Sequence, residues 1–304
     1  MIVQVNDLHF SYGSRAALAG VSFSVPAGSI FGILGPNGGG KSTLFRILST
    51  LMAPRRGEVR IAGIPLAAQP AAVRRRIGVV FQSQSLDRGL TVRENLHSQG
   101  HLFGLHGPDL RRRADALLDR LGLAGRAREL VGSLSGGLKR RVEIAKAMLH
   151  RPELLLMDEP STGLDPAVRL ELWSCLEDLR RDRNVTILLT THILEEADRC
   201  DRLLLLHQGR VVREGTPDEL KSRAGGDVLS LGSPDPDLLY ARITERFSVL
   251  PLRVNGGLRM EVGDGARFLA ELLSAFPGQI DSVAMHRPTL EDVFLDETGA
   301  RWDA

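Results

Sequence analysis

A chain of 304 residues is too long for one ordinary domain and short for three, so two domains of unequal size are expected. Thirty-nine basic and 37 acidic residues leave a net charge of +2, too balanced for a nucleic-acid-binding surface, and two cysteines exclude a disulfide framework and fit a reducing compartment. Met1 to Asp7 lack the basic start and apolar run of an export signal, and no stretch reaches the roughly 18–20 apolar residues that span a bilayer, so a membrane role would need a partner chain.

The first thirty residues alternate apolar and polar positions, broken at Tyr12-Gly13-Ser14 and Pro26-Ala27-Gly28, which predicts a small antiparallel sheet. Ile30 to Leu34 reads as a buried strand, followed by a glycine-rich turn and a helix over Lys41 to Leu51. From about Thr91 to His150 the periodicity is mainly helical, with Leu117, Leu118 and Leu121 at helical spacing. The runs Leu154 to Met157, Val185 to Leu189 and Leu203 to Leu206 are short and unbroken, as in strands of a parallel sheet covered on both faces.

Near residue 225 the character changes. Arg223-Ala224-Gly225-Gly226 reads as a linker and Gly232 to Pro236 as a turn. Beyond it, strand-like runs (Val228 to Leu231, Leu258 to Val262, Ile280 to Met285) alternate with helical ones (Asp237 to Arg246, Ala266 to Ala275), predicting a small α+β domain.

Gly35-Pro36-Asn37-Gly38-Gly39-Gly40-Lys41-Ser42, followed by Thr43, fits GxxxxGK[ST] between a strand and a helix. Glycines let backbone N–H groups converge on phosphate oxygens, and the helix start adds its positive dipole end. Lys41 would reach the β- and γ-phosphates of a nucleotide such as ATP, and the Ser42 hydroxyl would ligate Mg²⁺. Leu154-Leu155-Leu156-Met157 runs into Asp158-Glu159, two acids at the carboxyl end of a strand, where open α/β sheets bind ligands. Asp158 would hold Mg²⁺ and Glu159 would polarise an attacking water.

Leu134-Ser135-Gly136-Gly137-Leu138 lies one helix before the carboxylate strand. Together with the two preceding motifs, it resembles the LSGGQ signature of ABC ATPases, a likeness covering roughly residues 1–220. The resemblance implies an α/β P-loop cassette over residues 1–224 with an antiparallel β subdomain and a helical insert at about 91–150, followed by an accessory domain at 225–304. It implies head-to-tail dimers, of two copies or with a paralogous ATPase chain, in which Ser135, Gly136 and Gly137 face the partner's nucleotide. It also implies roles for Gln82 (Q-loop, touching Mg²⁺ and water), Tyr12 (stacking on adenine), Asp165 (D-loop) and His192 (γ-phosphate switch). Leu138 stands where glutamine is common in the signature, and Gly39 where alanine or serine is usual in the P-loop.

Two further signals are set aside. His97, His101 and His106 lack an accompanying Cys or second acidic ligand, so a solvated or interface role is favoured over a metal site. Arg74-Arg75-Arg76 and Arg111-Arg112-Arg113 carry no interleaved aromatics and do not predict nucleic-acid binding.

The closing Leu290-Glu291-Asp292-Val293-Phe294 resembles the end of type-2 ABC exporter ATPases of the daunorubicin-resistance kind. That resemblance implies an exporter subunit on the cytoplasmic face of the membrane, driving separate membrane-spanning permease subunits. A soluble ABC ATPase acting on ribosomes or DNA is the alternative. Such proteins carry two cassettes or a long coiled-coil insertion, and this sequence has one cassette and no heptad run.

Overall fold

Alternation at the start of the chain produces two long paired strands, β1 (Val3–Tyr12) and β2 (Arg15–Val25), joined at the expected Gly13 turn. The computed structural model describes residues 1–223, 226–254, 256–299 and 302. The chain divides into two compact units, Met1–Thr216 and Pro217–Trp302. The junction expected at 224/225 lies outside the described residues.

In the first unit β3 (Ile30–Leu34) is wholly buried and leads through the glycine loop into α1 (Lys41–Leu48), which ends three residues before the predicted Leu51. The chain continues through β4 (Arg56–Ile61), β5 (Ile64–Pro65), α2 (Pro70–Arg74) and β6 (Ile77–Val80). The helical stretch resolves into α3 (Val92–Leu102), α4 (Gly107–Arg120) and α5 (Gly136–Met148). Helix α3 starts at a Thr91/Glu94 capping box, which satisfies two otherwise orphaned backbone donors. Next come β7 (Leu154–Asp158), α6 (Pro166–Arg183), β8 (Thr186–Thr191), α7 (Leu194–Ala197), β9 (Arg202–His207) and β10 (Arg210–Gly215).

These strands form two sheets. One is antiparallel in the order β2-β1-β4-β5. The other runs β10-β9-β3-β8-β7-β6, parallel except at β10, so its strands are apolar on both faces. Phe23, Phe31, Leu44, Phe45, Leu156 and Leu188 belong to one core that joins the antiparallel sheet, α1 and the parallel sheet. Pairing register aligns the strand ends. Leu34 lies opposite Thr191, and Asp158 opposite Thr190, so β3, β8 and β7 end side by side at one edge.

The second unit contains α8 (Pro217–Arg223), β11 (Asp227–Gly232), α9 (Pro236–Phe247), β12 (Leu252–Val254), β13 (Gly257–Val262), α10 (Gly265–Ala275), β14 (Ser282–His286) and α11 (Leu290–Thr298). Its sheet order is β12-β13-β11-β14, antiparallel throughout. Leu229, Leu239, Ile243 and Leu272 are fully buried in its own core. The second acidic residue of the closing motif has a structural task. Asp292 forms a capping box with Thr289 and accepts from Arg259 Nε at 3.1 Å, while Leu290 and Phe294 are buried. No helix among the described residues is long and apolar enough to cross a membrane.

Candidate active site

The carboxyl edge of the parallel sheet assembles four loops in the spatial order of their strands: the glycine loop after β3, His192 after β8, Asp158-Glu159 at β7 and Gln82 after β6. Parallel strands place all these loops on one side, which is why groups 35 to 192 in sequence meet.

Helix α1 begins at Gly40, whose φ of 108° is left-handed and which supplies no side-chain cap. A Cβ there would sit 2.8 Å from the Ala17 carbonyl, so the tight turn needs glycine. The first N–H groups of α1 therefore face the loop rather than a capping side chain. A Cβ on Gly39 would lie 3.1 Å from both the Leu206 and Pro36 carbonyls, crowded but within reach of a small adjustment. Gly35 and Pro36 turn their carbonyls inward and accept from Lys41 Nζ at 2.7 and 3.1 Å. Burial pushes the Lys41 ammonium below its ordinary pKa, while Glu159, 3.5 Å away, works against that shift.

Glu159 is the centre of the cluster. It is buried, and its φ of 44° places a non-glycine residue in the left-handed region, a cost of about 1–3 kcal/mol that surrounding bonds must offset. Its N–H donates to Thr190, to the carbonyl at 3.1 Å and to Oγ1 at 3.0 Å. Its Oε2 accepts from Gln82 Nε2 at 3.1 Å and from Thr162 Oγ1 at 3.3 Å, and His192 Nδ1 stands 3.3 Å from the same oxygen. Asp158 Oδ1 accepts from Thr190 Oγ1 at 2.6 Å. Burial pushes the Asp158 carboxyl up; the Thr190 hydroxyl opposes that and the Glu159 charge adds to it.

A cleft of about 660 Å³ opens beside this cluster, lined by Tyr12, Arg15, Asn37, Gly38, Gly40, Lys41, Ser42, Thr43 and Glu159, with Gln208 and Gly209. Tyr12 is half exposed at the end of β1, its ring edge-on to Phe10 and its hydroxyl 3.5 Å from Met52 Sδ. The glycine loop and Tyr12 thus line one cleft.

The signature does not. Ser135 caps α5 by accepting from the Leu138 N–H, and Ser135, Gly136 and Gly137 lie outside the cleft, as does Asp165, the residue before α6. Ser135, Gly136 and Asp165 are exposed. A Cβ on Gly137 would fall 2.2 Å from Val168 Cγ1, so close packing of α5 on α6 requires glycine there.

Several residues at the site carry no sequence signal of their own. Thr190 and Thr162 hold the carboxylates, Arg15 reaches the cleft from the start of β2, and Gln208 from a turn. The polar pair Thr190-Thr191 after the apolar run Ile187 to Leu189 is the one visible hint.

The ABC transporter family profile matches residues 18–162. A daunorubicin resistance ATP-binding protein of Streptomyces coeruleorubidus, DrrA3, is 39% identical over 98% of this chain and 96% of its own length. The chain belongs to the ABC transporter ATP-binding proteins.

Nod factor export ATP-binding protein I of Paraburkholderia xenovorans is 40% identical over 98% of this ATP-binding protein and 97% of its own length. Among solved structures, an ATP-binding subunit of an ABC transporter superposes with a TM-score of 0.65 at 35% identity, covering 73% of this chain and 93% of that one. A dimeric ATP-binding cassette bound to ADP and Pi gives 0.63 at 30% identity, covering 70% and 98%. Family membership makes this ATP-binding protein an ATPase, an expectation the residue pattern already carried. The loop, cleft and carboxylates at the sheet edge are where its cassette can hold ATP.

Proposed function

We propose that this protein is the ATPase of an exporter, working as a head-to-tail pair on the cytoplasmic face of the membrane and driving separate permease subunits. Daunorubicin resistance and Nod factor export proteins matching nearly the whole chain support the export direction. The observation that carries the mechanism is the Glu159 carboxylate, within 3.5 Å of Gln82, His192 and Lys41 beside a phosphate-binding loop.

Adenine stacks on Tyr12, and the phosphates lie along Gly38 to Thr43, whose N–H groups and helix dipole suit anions. Lys41 exchanges its Gly35 and Pro36 carbonyl contacts for phosphate oxygens. Ser42, Asp158 and Gln82 are the oxygen donors that suit Mg²⁺, the hard cation these residue types favour. When bound, Mg²⁺ offsets charge on the phosphate oxygens. Glu159 orients the attacking water and takes its proton. His192, beside the same carboxylate oxygen, touches the γ-phosphate. Ser135, Gly136, Gly137 and Asp165 serve the partner's cleft, completing each site on closure; the exposure of Ser135, Gly136 and Asp165 supports this reading. Residues 1–224 act as the cassette and 225–304 as an accessory domain.

A pull-down of tagged Glu159→Gln protein from detergent-solubilised native membranes with ATP tests this reading. A polytopic membrane chain in stoichiometric amount is expected. Ribosomal proteins or nucleic acid, with no membrane chain, would overturn it.

A further inference from the structure

Behind Glu159 lies a second carboxylate that the reaction does not use directly. Glu196, on the short helix α7, is 1% exposed. Burial pushes its carboxyl up, so a fold seeking only stability would do better with an apolar side chain. Arg169 Nε is 3.9 Å away, too far for a hydrogen bond. Besides a hydrogen bond from the Trp173 side chain, it holds two hydroxyls from opposite sides of the catalytic cluster: Ser161 Oγ donates to Oε1, and Thr191 Oγ1 donates to Oε2 at 2.6 Å.

Both hydroxyls sit next to groups that matter. Ser161 is fully buried two residues after Glu159, and its carbonyl accepts from Leu164 N–H at 3.0 Å, so it pins the turn leaving the carboxylates. Thr191 immediately precedes His192, and its hydroxyl also accepts from Ile193 N–H at 2.9 Å. That bond occupies the acceptor side of the hydroxyl, leaving its proton for Glu196. His192 is thus bracketed: the residue before it binds Glu196, and the residue after it binds the residue before it. Glu159 itself is held left-handed by Thr190 on one side and by the Ser161 turn on the other. Strained backbone of this kind persists only where its surroundings over-determine it.

We propose that Glu196 is a positioning residue for ATP hydrolysis. It fixes the turn after Glu159 and the strand end bearing His192 in one register through Ser161 and Thr191. The inference rests on the roles proposed for Glu159 and His192, and it adds a residue that reaches neither nucleotide nor water. Glu196 acts on turnover more than on nucleotide affinity, because its hydroxyl partners are Ser161 and Thr191 rather than Lys41 or Tyr12; the P-loop meets this network where the Gly35 N–H donates to the Thr191 carbonyl at 3.4 Å.

The test is steady-state ATPase activity of the full chain, with turnover divided by the number of nucleotide-binding sites measured on the same preparation. Glu196→Leu keeps the volume and loses the hydrogen bonds to Ser161 and Thr191, together with that from Trp173. It is expected to cut turnover per binding site by roughly 10- to 100-fold, the range for small misplacement of catalytic groups, with the KM for ATP moving by less than about threefold. Glu196→Gln keeps an acceptor for Thr191 and a polar contact to Ser161, and should recover part of that loss. Ser161→Ala should lower turnover in the parent and add little in Glu196→Leu, because the two share one interaction. Wild-type turnover per binding site in Glu196→Leu, or fully additive losses with Ser161→Ala, would overturn the proposal. Glu159→Gln is measured alongside: if it abolishes turnover while Glu196→Leu does not, this inference alone fails. If Glu159→Gln hydrolyses ATP normally, the site assignment falls and the positioning role with it.

Discussion

Arg140 donates from Nη1 to the Phe81 carbonyl at 2.6 Å, tying the helix that starts at the signature to the loop that carries Gln82. Its Nη2 reaches the Gln82 carbonyl at 3.2 Å, and Nη1 also pairs with Glu143 at 2.9 Å. Glu143 in turn accepts from the Ser85 N–H at 2.7 Å, and Lys146 donates to the Ser85 carbonyl at 2.6 Å. Three successive turns of α5 therefore grip residues 81–85. These bonds tie the helix that begins at the signature directly to the backbone around Gln82.

Arg140 and Glu143 are both buried, and burial pushes the Glu143 carboxyl up. Removing one partner strands the other, so Arg140→Ala should cost about 3–5 kcal/mol, whereas Arg140→Met with Glu143→Leu should regain most of it. Urea unfolding of both variants checks this. An Arg140→Ala midpoint equal to wild type would mean the Q-loop carbonyls find other donors.

Lys41 and Glu159 should separate binding from turnover. Lys41→Ala is expected to weaken ATP binding at least about tenfold, through loss of a charge-assisted contact. Glu159→Gln should bind ATP and lose about 100-fold or more in hydrolysis, as expected on removal of a general base. Equilibrium binding and single-turnover hydrolysis distinguish the two. Full hydrolysis by the Gln variant would remove Glu159 from the base role.

Gly137→Ala sets a Cβ against Val168 Cγ1, and overpacking of this kind typically costs about 1–3 kcal/mol. Val168→Ala should relieve it, so the double variant should melt above Gly137→Ala. Equal melting temperatures would show that α5 and α6 separate freely.

Leu138→Gln should leave nucleotide affinity within about threefold, a shift of well under 1.4 kcal/mol. The Ser135 cap uses the Leu138 backbone N–H, and any side chain supplies that. A much larger change in ATP titration would place an amide at this position in contact with nucleotide.

Glu261 gives the second unit a pH dependence. Burial, reinforced by the neighbouring Asp296, raises its carboxyl to about 7, although Arg259 lies 3.1 Å away and opposes the shift. The folded form therefore holds a proton that the unfolded chain releases near its ordinary value of 4.5. This contribution to stability is complete below about pH 4.5 and lost as pH rises through about 7. Asp292 is shifted the opposite way; despite burial, its Thr289 bonds hold it below 3.8, so its contribution is lost only as pH falls further. Melting curves of wild type and Glu261→Gln between pH 5 and 8 should diverge progressively, with the variant flatter. Parallel curves would show that Glu261 titrates normally.

Much of this molecule is legible in its residues alone. Periodicity locates the strands, because a run such as Leu154 to Met157 is apolar at every position only when both faces are covered. Glycine-lysine spacing marks the phosphate loop, because Gly40 must be left-handed there whatever surrounds it. Resemblance supplies names for Gln82, Asp165 and His192, residues whose own types are too common to single out. Boundaries are less secure: α1 stops at Leu48 and β14 runs from Ser282 to His286, set by cap geometry and strand pairing that no local pattern records.

Tertiary structure alone decided which polar groups meet. Parallel register brings Asp158 opposite Thr190, and only that alignment makes a strand threonine a carboxylate partner. Glu196 reads in sequence as one acid among several in a helix, and Arg140 as one of a basic run. Burial removes water from both and leaves specific hydroxyls, carbonyls and a carboxylate as their partners. Local sequence fixes chemistry where backbone conformation is the constraint. Long-range packing fixes it where desolvation is the constraint, because a buried charge is defined by the partners the fold brings to it.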